Sequence, residues 1–76
     1  MGRTAKARRD RYGAWLHQLR TKRELTQEKL AKLLGVPRTT LAYWERSGNL
    51  TGRRVILQMA KILRVSLKEL LRQKKA

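Results

Sequence analysis

The stretch Thr26–Gly48, TQEKLAKLLGVPRTTLAYWERSG, decides how this chain folds. It holds two short apolar patterns separated by one glycine. Leu30, Ala31, Leu33 and Leu34 recur at helical spacing before Gly35, and Leu41 and Trp44 recur after it, as residues on one helix face must. Thr26 offers a hydroxyl at the N-cap position, Glu28 a negative charge in the first turn, and Leu25 with Leu30 an apolar staple across the cap. Gly35 is a stop, because glycine enters the left-handed region at a helix end without strain. Val36-Pro37 opens the next helix, where proline is tolerated.

Two helices joined by so short a turn approach closely, so an inward position on the first must be small. Ala31 fits. The remaining inward positions must be apolar, and Leu30, Leu34, Val36, Leu41 and Trp44 all are. Each requirement is weak alone; met together at one spacing, they specify a helix-turn-helix unit.

The same reading extends outward. Tyr12, Trp15, Leu16 and Leu19 recur at i, i+3, i+4 and i+7, predicting a first helix from Tyr12 to about Arg23 or Glu24. Residues 46–52, RSGNLTG, are rich in turn formers and read as a loop. Ile56, Met59, Ala60 and Leu63 share one face of a fourth helix. Ser66 and Glu69 have the spacing of a capping box, with Val65 and Leu70 as its staple, before a fifth helix expected to bury Leu67, Leu70 and Leu71 and to fray in RQKKA. No β-type alternation occurs. The expected fold is all-α, with five short helices in one domain over residues 12–76, preceded by a basic flexible arm over residues 1–11.

Charge bounds the partners. Twenty Lys and Arg against five Asp and Glu leave +15 on 76 residues, with a pI near 11.7. Such a surface is compensated best by a polyanion, nucleic acid before an anionic membrane. With no cysteine, neither a disulfide nor a thiolate metal site is available. One histidine and five scattered acids provide neither a metal cluster nor a nucleophile–base pair, so no enzyme, metal or cofactor is expected. No apolar run approaches the roughly 18 residues that cross a bilayer. His17 flanks the first helix's apolar stripe and is expected to be solvated. Trp15 and Trp44 sit at apolar helical positions and read as core rather than as base-stacking platforms.

The segment from Leu16 to Leu71 resembles the phage repressor and Cro-like (XRE-type) helix-turn-helix family of DNA-binding proteins. The resemblance is carried by LTQEKLAKLLGV, by Trp44-Glu45, and by ILQMAKILRVSLKELL. It implies a five-helix, lambda-repressor-like domain whose third helix enters the DNA major groove. It also implies a bacterial or phage-encoded protein at the nucleoid, in the cytoplasm, acting as a sequence-specific transcriptional regulator of the repressor type, read as a homodimer. Glu24 and Arg64 depart from the pattern, standing where the family has glycine, and the loop after Glu45 reads one residue longer.

With Leu41 and Trp44 inward, Arg38, Thr39, Ala42, Tyr43 and Arg46 point outward. Arg38 is the candidate for two hydrogen bonds to guanine O6 and N7. Thr39, Thr40 and Tyr43 are candidates for a base, a phosphate or a thymine methyl. Gln27, opening the second helix, takes a backbone phosphate by resemblance, joined by Arg46 and by Arg53 and Arg54 at the start of the fourth helix. The arm residues Arg3, Lys6, Arg8, Arg9 and Arg11 are further candidates for the duplex. Glu45 pairs by resemblance with Arg20. Dimer contacts are expected at Leu57 and the fifth helix. Two alternatives remain open: an antitoxin or cofactor-type interaction module with weakly specific DNA binding and a toxin or polymerase as partner, and an RNA or membrane-surface binder. Gly35 argues against the membrane, since a basic amphipathic peptide needs no such turn.

Overall fold

The computed structural model describes residues 10–75, which form five helices: α1 Arg11–Lys22, α2 Gln27–Leu34, α3 Arg38–Ser47, α4 Arg53–Leu63 and α5 Leu67–Lys75. No strand occurs among them. The arm residues Arg3, Lys6, Arg8 and Arg9 lie outside the described residues.

α1 begins at Arg11, one residue before the apolar pattern does, because Asp10 caps it. The Asp10 carboxylate accepts from the Tyr12 N–H at 2.9 Å. Tyr12, Gly13, Leu16 and Arg20 form the buried stripe. Trp15 and Leu19 are half-buried against the core, with Trp15 stacked on Tyr12 at 5.7 Å. Thr26 caps α2 by accepting from the Lys29 N–H at 3.0 Å. Leu30, Ala31 and Leu34 are buried, whereas Leu33 faces solvent at 51% exposure. Leu30, Ala31 and Leu34 cluster on one side of the helix, and at about 100° per residue Leu33 falls off that face.

Pro37 is the cap residue of α3 rather than its first helical residue, with φ −65° and ψ 148°. At the other end α3 runs through Arg46 and Ser47, two residues expected in the loop, and stops at Gly48 with φ 77°. The loop is anchored by Leu50, which is wholly buried. Fully burying a leucine is worth about 1.5–3 kcal/mol. The Lys74 ammonium donates to the Leu50 carbonyl at 2.7 Å, tying α5 to the same point.

Met59, Ala60 and Leu63 of α4 complete the core. Arg64 ends α4 in the left-handed region at φ 59°, and Glu24 follows α1 at φ 57°. Both departures from glycine are thus strained, at about 1 kcal/mol each. The Arg23 guanidinium donates to the Leu63 carbonyl at 3.2 Å and so satisfies the end of α4 from the end of α1. Ser66 caps α5 by accepting from the Glu69 N–H at 3.0 Å. The reciprocal half of the capping box is absent: Glu69 turns instead to Arg72 and Gln73. Of the three leucines expected inside α5 only Leu70 is buried, while Leu67 and Leu71 are 38% and 42% exposed. α5 rests on the core through one narrow stripe, pinned by the Tyr12 hydroxyl donating to the Leu70 carbonyl at 3.0 Å. Burial pushes the Tyr12 hydroxyl up to about 12.

Candidate nucleic-acid interface

The unit rests on the turn between α2 and α3. Gly35 takes φ 74° and ψ 31°, and the Val36 N–H reaches back to the Ala31 carbonyl at 3.0 Å. The space around Gly35 is open, so the glycine is required by the backbone angle and not by crowding. Ala31 is 2% exposed, the small residue that lets the two helices meet.

α3 is divided lengthwise. Leu41, Trp44 and Glu45 are buried. At about 100° per residue, the opposite face carries Thr39, Tyr43 and Arg46, with Arg38 at its edge towards α2. All four are exposed, while Thr40 and Ala42 are half-buried at the flanks. The four candidate base-reading residues therefore share one helix, with Thr40 the least accessible. Arg46 lies on the same face, its guanidinium 6.0 Å from the centre of the Tyr43 ring. Arg53 and Arg54 are exposed in the first turn of α4. Arg53 also borders an apolar cleft formed by Ile56, Leu57, Leu67 and Leu71.

Behind the exposed face of α3 lies a polar cluster. Arg20 grips Glu45 with two hydrogen bonds, Nε to Oε2 at 2.7 Å and Nη2 to Oε1 at 3.2 Å, and donates its third to the Leu25 carbonyl at 2.7 Å. Both residues are buried. The pairing expected by resemblance is thus an interior ion pair joining α1 to α3. His17 is not merely solvated: its Nδ1 stands 3.1 Å from Glu45 Oε1 and 2.9 Å from Arg20 Nη2. Burial pushes the Glu45 carboxyl up, but hydrogen bonds from Arg20, Gln27 and His17 outweigh it and hold the group below the ordinary carboxylate value.

Gln27 links this cluster to the outside. Its Nε2 donates to Glu45 Oε1 at 3.1 Å, and its Oε1 accepts from Arg38 Nη1 at 3.3 Å. The orientation of the amide is fixed by its neighbours, since a carboxylate only accepts and a guanidinium only donates. The side chain expected on a phosphate is therefore engaged with Glu45 and Arg38.

Sequence reasoning missed Ser47 and Asn49. The Ser47 hydroxyl donates to the Tyr43 carbonyl at 2.8 Å and accepts from the Asn49 N–H at 3.1 Å, while Asn49 Nδ2 donates to the Tyr43 hydroxyl at 3.0 Å. Tyr43 ionises below the usual tyrosine value, chiefly because of the Asn49 bond. The signal available was turn chemistry alone, and nothing in RSGNLTG says that the loop folds back on α3. Among the described residues no group of three His, Asp or Glu could hold a metal ion, and no helix is long and apolar enough to cross a membrane.

The family model described as helix-turn-helix matches residues 16–70. No curated protein matches the chain. Among solved structures, the restriction-modification controller protein C.AhdI from Aeromonas hydrophila is 36% identical, with a TM-score of 0.68 over 78% of this chain and 89% of that one. A turn at Gly35, a half-exposed α3 and this match across most of the domain agree: the chain belongs to the XRE-type helix-turn-helix family of DNA-binding transcriptional regulators.

Proposed function

We propose that this regulator is a repressor that lays α3 in the major groove of a specific duplex operator. Arg38, Thr39, Thr40 and Tyr43 face base edges, and Arg46, Arg53, Arg54 and the first turn of α2 at Gln27 face the phosphates. The observation that carries this reading is the lengthwise division of α3: its inner face is locked into the core, and its outer face presents Arg38, Thr39, Tyr43 and Arg46 to solvent. The charge of +15 supports an approach to a polyanion, and the likeness to a restriction-modification controller protein supports control of transcription. A second copy across the exposed Leu57, Leu67 and Leu71 is the dimer this reading uses, two half-sites being read one helical turn apart. The protein works at the nucleoid and needs no catalytic group.

The test is binding-site selection from a random duplex pool at about physiological salt, comparing the wild type with Arg38→Ala. A palindrome enriched by the wild type, relaxed at one guanine of each half-site in the variant, is the expected result. Tight binding without enrichment, steep in salt, reduces the interaction to counterion release and ends the operator reading. In that case the interaction-module reading takes over.

A further inference from the structure

Tyr43 is the large exposed residue on the reading face, and an exposed tyrosine ordinarily samples several rotamers. Here the side chain is held at two points: Arg46 lies by its ring, and Asn49 bonds its hydroxyl. Asn49 is itself held. Its N–H is bonded to Ser47, Gly48 before it turns the chain at φ 77°, and Leu50 after it is wholly buried. A Cβ at position 48 would run into the Asp10 carboxylate, so the turn is closed from that side too.

We propose that Asn49 is a positioning residue for DNA recognition: by donating to the Tyr43 hydroxyl oxygen it fixes the ring and leaves the hydroxyl hydrogen for an acceptor on the duplex. A hydroxyl has one hydrogen to give and lone pairs to receive. With Asn49 Nδ2 at 3.0 Å occupying the acceptor side, Tyr43 meets DNA as a donor. Acceptors on the duplex are phosphate oxygens and, in the major groove, purine N7, guanine O6 and thymine O4. The amino groups of adenine and cytosine are donors and would compete with Asn49 for the lone pairs of that oxygen. Asn49 need not touch DNA to exert this effect. The inference rests on the reading of α3 as the groove-entering helix.

The experiment is a double-mutant cycle on the selected operator, measured by fluorescence anisotropy on the full chain with Tyr43→Phe, Asn49→Ala and the double variant. Each single variant is expected to weaken binding roughly three- to tenfold, the scale of one hydrogen bond. In the Tyr43→Phe background, Asn49→Ala should cost nothing further. An undiminished loss in that background, or no loss in either, overturns the proposal, because Asn49 then acts on DNA directly or not at all. Both residues are at the surface, and thermal melts confirm that each variant is folded. Operators scanned by base-pair substitution and by single methylphosphonates separate the two sources of acceptor: lost discrimination at one base pair in Tyr43→Phe marks a base, and insensitivity to one methylphosphonate marks a phosphate. If Tyr43→Phe alters neither scan, the donor role is excluded. A wild type that prefers no duplex refutes the operator reading itself, whereas a specific wild type with additive variants refutes only the role of Asn49.

Discussion

Arg20→Ala tests whether the pair joining α1 to α3 is an interior one. Removing the guanidinium leaves the Glu45 carboxylate, 1% exposed, with only Gln27 and His17 as partners. Breaking a buried pair from one side costs about 3–5 kcal/mol, against at most about 1 kcal/mol for a pair at the surface. A 76-residue domain is stable by about 4–11 kcal/mol in total, at the usual value per residue. The variant should therefore lose about a quarter or more of its stability. At about 4–8 °C per kcal/mol for a domain of this size, the midpoint should fall by roughly 12 °C or more. Thermal unfolding followed by circular dichroism at 222 nm is sufficient. The apolar double variant Arg20→Met/Glu45→Leu should recover much of the loss, because two buried charges then vanish together. A single variant melting within about 4 °C of the wild type would refute the buried-pair reasoning, as would a double variant worse than the two single changes summed.

Three further outcomes follow from the same packing. Gly13→Ala should destabilise, although alanine is the better helix former, because its Cβ would overlap the Glu45 carbonyl on α3; overpacking of that kind costs about 1–3 kcal/mol, and a raised urea midpoint would contradict it. Tyr12→Phe should cost about 0.5–1.5 kcal/mol and speed hydrogen exchange in α5 more than in α2, since the lost bond ends at Leu70; uniform acceleration across both helices would count against it. The Glu45 carboxyl lies below its ordinary value in the folded protein, so its contribution is complete above the unfolded carboxylate pKa, about 4.3, and disappears as pH falls through the lower folded value. Denaturant midpoints of the wild type and Glu45→Gln should thus differ above about pH 5 and converge in stronger acid; a gap that persists unchanged would exclude the carboxylate as its source.

The sequence determined the elements and their polarity. Helical spacing of apolar residues, the hydroxyl caps Thr26 and Ser66, and Gly35 at a helix end are local features, and local physics fixes the angles they impose. The outward direction of Arg38, Thr39 and Tyr43 followed once Leu41 and Trp44 faced inward. Tertiary structure decided what depends on separation in space. Leu67 and Leu71 have the spacing of core residues but lie beyond the reach of the bundle, so the apolar pattern overstated their burial. Leu50, in a segment with no period, became core because the loop folds inward. Gly13 is a contact only because α3 passes there. Glu45 is reached by His17, Arg20 and Gln27 from 28, 25 and 18 residues away in the chain. A side chain's rotamer and its hydrogen-bond partners are set by whichever groups the fold brings within about 3 Å. Periodicity along the chain carries information about faces, whereas partners across helices are fixed only when the faces close on one another.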